Sequence, residues 1–249
     1  MGAVHAGDGL FETLKVVDGV PFALTRHLTR MAASAAELAL PEVDVAHLRA
    51  TVLDRLADLS EAGVLPDVAR LRLLWSSRVD GNGALDVTTS GLPVAQGAAH
   101  VRTTSWRRNR EGAVRGHKST DYVDNLVALA EAVDQGAGEA IFADTSGMLC
   151  EGSGTNIFYV VDGELRTPAL STGCLPGVTR GLVLEWCGGR EVEEPLDVLG
   201  RASEVFLTSS TREVQPVASC DGWTYAAPGP VAGGVLEVWA RRSRETPDP

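Results

Sequence analysis

Two strand-like runs in this 249-residue chain each end on an Asp-Gly pair, and those pairs constrain the fold more than any other feature. Residues 10–17, LFETLKVV, stop at Asp18-Gly19, and TNIFYVV (155–161) stops at Asp162-Gly163. Asp-Gly tolerates positive φ at both central positions of a tight turn, so each pair predicts an antiparallel hairpin, the first returning over Val20–Leu24. Helical periodicity follows at once. Thr25 is placed to cap a helix through about Leu38, with Leu28, Met31, Ala35 and Leu38 on one face. A second helix, about Val45 to Ser60, carries Leu48, Val52, Leu56 and Leu59 and stops at Gly63. Hairpins interleaved with amphipathic helices imply an α+β chain.

The strand VARLRLLWS (68–76) alternates Leu71, Leu73 and Trp75 against Arg70 and Arg72, and Asp80-Gly81-Asn82-Gly83 turns the chain into short strands near 84–88 and 99–104. The polar, poorly periodic segment 105–116 is read as the connection between a small N-terminal domain (1–104) and a larger domain (117–249). The larger domain opens with a helix of about Asp121 to Gln135, with Val123, Leu126, Val127 and Ala130 expected inward. Strands then follow at EAIFADTSG, TNIFYVVDGELRTP, EVFLTSS and REVQPV. Pro176-Gly177 opens a helix to about Trp186, and a last helix spans about 230–244.

Composition excludes several functions. A net charge of −11 disfavours nucleic acid and anionic membranes as partners. No apolar stretch approaches the roughly 20 residues that span a bilayer, and the N-terminus has no basic region followed by an apolar one. The four cysteines have no C-x-x-C spacing and read as reduced cytosolic thiols, which predicts a soluble cytoplasmic protein. The five histidines have no metal-ligand spacing, so no metal is expected. Neither a phosphate loop nor a G-x-S-x-G elbow is present.

Of 22 basic residues only Lys15 and Lys118 are lysines, so Schiff-base chemistry has two side-chain candidates. Lys15 sits within an alternating strand. Lys118, in G-H-K-S-T-D-Y, lies between a loop and a helix start, where a nucleophilic amine or an ordinary surface lysine both fit. Leu-Pro-Gly-Val-Thr-Arg (175–180) opens a helix whose amide groups and Thr179 could seat a phosphate, or could simply be capped. Glu151 precedes Gly-Ser-Gly, and Thr208-Ser209-Ser210-Thr211 follows an apolar strand. An amine, a phosphate seat and a lone acid are the three partners that pyridoxal phosphate requires.

G-D-G-L-F-E-T-L-K, R-H-L-T-R-M-A-A-S-A, K-S-T-D-Y, E-G-S-G-T-N-I-F, T-P, L-P-G-V-T-R and S-S-T-R-E-V-Q-P-V occur here in the order found in class IV aminotransferases. From Gly7 to about Val217 the chain resembles this family of fold-type IV pyridoxal-phosphate enzymes. It includes branched-chain and D-amino-acid aminotransferases and aminodeoxychorismate lyases. The resemblance implies a two-domain α+β architecture: a small N-terminal domain, a larger one with a barrel-like mixed sheet and helices, and a homodimer. It implies that Lys118 carries pyridoxal 5′-phosphate and later moves the substrate proton. Glu151 would pair with the pyridine nitrogen. Arg30, Val178, Thr179, Ser210 and Thr211 would hold the phosphate, and Tyr122 falls near a tyrosine that some members place beside the cofactor.

The resemblance has departures. Only six residues precede G-D-G, fewer than in the family's usual pattern, which bears on the N-terminal sheet. Asp121 replaces a common asparagine, and Glu12 stands where some lyases carry threonine. The arginine-x-histidine carboxylate trap of known D-amino-acid aminotransferases is missing from SSRVDGNGALDV (76–87), as is the G-R-G-Y-like loop of some lyases. The expected activity is transfer of an amino group between a small amino acid, D configuration included, and a 2-keto acid. Aminodeoxychorismate lyase, releasing pyruvate and 4-aminobenzoate, is the alternative. A binding protein on the same fold is a third reading, opposed by the joint presence of Lys118, Glu151 and Arg30. Arg107, Arg108 or Arg110 could bind a substrate carboxylate, or form a solvated charge run.

Overall fold

The structure, a computed structural model, describes residues 9–77, 81–93 and 97–249; Gly7 and Asp8 of the G-D-G motif and Asp80 of the second turn lie outside these. The chain forms two compact units. The first comprises 1–94, 117–122 and 243–249, and the second 95–116 and 123–242.

In the first unit, β1 (Gly9–Val17), β2 (Val20–Pro21), β3 (Val68–Ser77) and β4 (Gly83–Gly91) form an antiparallel sheet in the order β2-β1-β3-β4. Asp18 and Gly19 both adopt positive φ (48° and 80°), as the hairpin turn demands. The core-facing row of β1, Leu10, Leu14 and Val16, packs with Leu71 and Leu73 of β3. It is covered by Leu28, Met31 and Ala35 of α1 (Leu24–Glu37) and by Leu48, Val52 and Leu56 of α2 (Val45–Glu61). The return strand is shorter than expected because the helix begins at Leu24. Thr25 is not its cap: Ala23 holds that position in a left-handed conformation with no side-chain cap. Asp248 supplies the acceptor instead, taking the Thr25 N–H at 2.8 Å.

In the second unit, β5 (Ala99–Arg108), β6 (Glu139–Asp144), β7 (Leu149–Gly152), β8 (Asn156–Val161), β9 (Glu164–Pro168), β10 (Arg190–Val192), β11 (Glu204–Ser209) and β12 (Glu213–Cys220) form one mixed sheet. Its order is β10-β9-β8-β11-β12-β5-β6-β7, with β13 (Trp223–Thr224) paired to β12. Pairs β9/β10, β5/β12 and β5/β6 are parallel. Asp162-Gly163 makes the expected β8–β9 hairpin with positive φ at both residues. α3 (Val123–Asp134) packs on β5 and β6 and α4 (Val178–Cys187) on β11, and Trp239 of α5 (Pro230–Glu245) meets Trp186 of α4. No helix among the described residues is long and apolar enough to cross a membrane.

Two expectations are corrected. The segment from 105 is not wholly a loop: β5 runs on to Arg108, held between β6 and β12, so it groups with the second unit, while 117–122 groups with the first. The inward face of α3 is also reversed. Asn125, Ala128 and Ala132 are its buried positions, while Val123, Leu126, Val127 and Ala130 are exposed. Small residues let α3 lie close to its sheet, and the larger apolar side chains point away from it.

Candidate active site

In the first unit the side-chain alternation of β1 separates two roles. Leu10, Glu12, Leu14 and Val16 point to the core, and Phe11 points to the opposite face. Residues 117–122 are bonded along the start of this strand. Lys118 C=O accepts the Phe11 N–H at 2.9 Å, and Gly9 C=O accepts the Thr120 N–H at 2.8 Å. Only glycine fits at position 9, where a Cβ would fall 2.5 Å from the Trp75 carbonyl oxygen. This pairing sets Lys118 Nζ 4.3 Å from the centroid of the Phe11 ring and 5.5 Å from that of Tyr122. The two rings meet edge to face at 5.4 Å. Arg72, on the outward row of β3, places its guanidinium carbon 4.4 Å from the same Phe11 centroid. The Lys118 amine and the Arg72 guanidinium thus share one aromatic ring.

Glu12 is the exception in its apolar row. It is 1% exposed. Its Oε1 accepts Arg30 Nε at 2.8 Å, and its Oε2 accepts Arg30 Nη2 at 2.5 Å and His27 Nδ1 at 2.6 Å. Burial alone would raise the Glu12 acid, but Arg30 and His27 outweigh it and hold it down at about 2. Burial lowers His27 in turn, with the charges of Arg30 and Lys118 acting in the same direction against the pull of Glu12.

In the second unit Glu151 lies on β7, 8% exposed, rather than at a surface bend. Its Oε2 accepts the Leu175 N–H at 2.9 Å and Asn156 Nδ2 at 3.4 Å, while Oε1 lies 3.2 Å from Arg108 Nε. Arg108 also donates to Asn125 Oδ1 at 3.0 Å and stacks 4.5 Å from the Phe142 centroid. It is therefore engaged with a buried acid instead of standing open as a substrate anchor. Arg107 is exposed and donates to the carbonyls of Thr104 and Trp106. Arg110 pairs with Asp144 and Glu193. The thiols of Cys150 and Cys174, beside Glu151 and Leu175, are pushed up by burial first and by the Glu151 charge second.

α4 begins at Gly177, which caps it without a side-chain acceptor, and Val178 and Thr179 are buried in its first turn. A Cβ at Gly177 would lie 2.0 Å from Asn156 Oδ1, so the close backbone approach there requires glycine. Thr208, at the end of β11, is 1% exposed, and its hydroxyl has no hydrogen-bond partner among the described residues. Ser210 and Thr211 are half-buried in the turn that follows. Uncapped amides, buried hydroxyls and a glycine cradle are the donor set of a phosphate seat. With the buried acid Glu151 of the same unit, these residues are of the donor and acceptor types that suit the phosphate and ring nitrogen of pyridoxal phosphate. No group of His, Cys, Asp and Glu among the described residues could hold a metal ion.

Sequence reading missed Phe11, Glu12, His27, Arg72, Asn125 and Asn156. An acid at an inward position of an alternating strand was the available signal for Glu12, with His27 and Arg30 three residues apart on the facing helix.

A family model described as amino-transferase class IV matches residues 9–220. A putative branched-chain-amino-acid aminotransferase of Methanocaldococcus jannaschii is 32% identical, over 87% of this chain and 80% of that protein. An aminodeoxychorismate lyase of Bacillus subtilis is 28% identical, over 93% and 84%. Among solved structures, a fold IV-transaminase from Curtobacterium pusillum superposes with a TM-score of 0.86 at 30% identity, covering 96% of this chain and 86% of that one.

Proposed function

Because the chain belongs to the class IV aminotransferase family, we propose that it is a pyridoxal-phosphate-dependent aminotransferase exchanging an amino group between a small amino acid and a 2-keto acid. The observation that carries this reading is the setting of Lys118. One of only two lysines in the chain, it is held by strand-like bonds against Phe11 and Tyr122, with Arg72 on the same ring.

Lys118, Arg30, Tyr122, Glu151, Val178, Thr179, Ser210 and Thr211 are the residues that would hold the cofactor. When bound, pyridoxal phosphate would supply an electron-withdrawing ring that acidifies the substrate Cα–H. Lys118 Nζ would be the amine that carries the cofactor and the base that holds and moves the substrate Cα proton. Glu151, held by Arg108 and the Leu175 N–H, would be the acid that pairs with the ring nitrogen. Arg72 provides a fixed cation beside Lys118 for the substrate carboxylate. Amino-group transfer in which one keto acid leaves before the second enters would follow ping-pong kinetics.

The same reading makes the protein a cytoplasmic homodimer. Its four cysteines are free thiols, which suits a reducing compartment. Val123, Leu126, Val127 and Val133 of α3 are between 39% and 59% exposed, and Trp106, 46% exposed, bonds Glu131 of that helix. An apolar stripe of this kind suits a second copy of the chain.

The test is a panel of D- and L-amino acids offered with pyruvate or 2-oxoglutarate, with keto-acid exchange expected. No exchange, together with 4-aminobenzoate released from aminodeoxychorismate, would overturn transfer in favour of elimination.

A further inference from the structure

We propose that Glu12 is a positioning residue for the cofactor phosphate, acting through Arg30, with His27 bracing it from the same helix. The inference rests on the reading of Arg30 as a phosphate contact.

The row in which Glu12 stands is otherwise apolar: Leu10, Leu14 and Val16 belong to the core, and each is no more than 1% exposed. A carboxylate placed there is costly unless both oxygens are paired. Both are. Arg30 and His27 lie one turn apart on α1, so one carboxylate of β1 meets two side chains of the same helix face. The contact to Arg30 is two-pronged, through Nε and Nη2 to separate oxygens. A fork-on-fork pair fixes the plane of a guanidinium, where a single contact would leave it free to rotate.

That restraint has a function if Arg30 must meet an anion. The Arg30 side chain is 12% exposed, so part of the group reaches the surface while its Nε edge is tied to the core. The guanidinium is then oriented before any phosphate arrives, and little conformational entropy is lost on binding. His27, donating from Nδ1 to Oε2, stops the carboxylate from swinging away with the arginine. A lock that served the fold alone would affect stability. A positioning residue also changes how much of the cofactor's affinity comes from its phosphate.

The experiment therefore measures that share. The full-length chain, stripped of cofactor, is titrated with pyridoxamine phosphate and with pyridoxamine, neither of which bonds covalently to lysine, and the two dissociation constants are compared as a ratio. Arg30→Met is expected to collapse the preference for the phosphorylated ligand. Glu12→Gln is expected to lower it by about 10-fold or more, the scale on which second-sphere partners act at anchored sites. The double variant should show a preference no lower than Arg30→Met alone. An unchanged ratio in Arg30→Met would refute the phosphate role of Arg30. A normal ratio in folded Glu12→Gln, beside a collapsed one in Arg30→Met, would refute the role of Glu12. Should Glu12→Gln fail to fold, Glu12→Asp keeps the charge but withdraws it by one carbon. Its ratio is expected to fall, and a wild-type ratio there would equally overturn the proposal.

Discussion

Asp248 caps the helix that begins at Leu24, across 223 residues of sequence. Its Oδ1 accepts the Thr25 N–H at 2.8 Å, its Oδ2 accepts the Thr25 hydroxyl at 2.7 Å, and Arg49 approaches Oδ2 at 2.8 Å. The helix has no cap of its own, so its first turn depends on this residue. Asp248→Ala is expected to cost about 1 kcal/mol, or ~2–4 °C of melting temperature in a chain of this size. Burial pushes the Asp248 acid up, but the bonds from Thr25 and Arg49 prevail and lower it. Its contribution is therefore present above the ordinary aspartate range and fades as pH falls through the folded value. The difference between the melting temperatures of the two proteins should be smaller at pH 3 than at pH 7.

Lys118→Ala is expected to abolish transfer by at least about a hundredfold, since it removes the amine that moves the proton. Borohydride reduction of the cofactor-loaded wild-type protein should fix the cofactor to a peptide containing residue 118. Label found on Lys15 instead would contradict the assignment, because that side chain lies in mid-strand, paired opposite Arg70.

What the sequence could and could not reveal follows from the range of the forces involved. The Asp-Gly hairpins, the core face of the helix carrying Leu28, Met31 and Ala35, and the helix start at Pro176-Gly177 were legible because turns and periodicity are local. The cap at Asp248 was not, since no local rule connects it to Thr25. The face of α3 was misread because its strongest apolar stripe is not the face it buries. Lys118, Arg30 and Glu151 could be proposed as a set from motif order. Their partners Phe11, Glu12 and Arg108 depend on strand register and on which side chains cross between elements.

Arg108 illustrates the consequence. As a substrate anchor, it would raise KM when lost. As the partner of buried Glu151, its loss strands a carboxylate, which costs far more than an exposed pair. Arg108→Met is expected to loosen cofactor retention by about 10-fold or more, while KM for the amino donor stays within ~2-fold. Dialysis followed by absorbance titration measures the first, and steady-state kinetics at saturating cofactor the second. A large rise in KM with normal cofactor retention would restore the anchor reading.

The exposed stripe of α3 can be tested without reference to activity. Leu126, 59% exposed, and Val133, 55% exposed, stabilise the isolated chain little. Glutamate at both positions is expected to leave the fold intact by circular dichroism and to convert a dimer into a monomer in sedimentation velocity. Burying two charges in an apolar interface would cost several kcal/mol of association. A wild-type protein that sediments as a monomer would remove the homodimer.

Acid should unfold the first unit in two steps governed by Glu12 and His27. His27 is lowered, chiefly by burial, so it contributes stability that is fully present above its unfolded value near 6.5 and is lost as pH falls below it. Glu12, held at about 2 despite burial because Arg30 and His27 favour its charge, contributes stability present above about 4.5 and lost between there and 2. The second step amounts to about 3 kcal/mol. Glu12→Gln should remove that step and leave the His27 step in place, since a neutral amide does not titrate but the buried imidazole still does. Urea unfolding midpoints collected from pH 7 down to pH 3 for wild type, Glu12→Gln and His27→Gln separate the two contributions. Parallel curves for wild type and Glu12→Gln below pH 4.5 would show that the buried carboxylate does not govern acid stability.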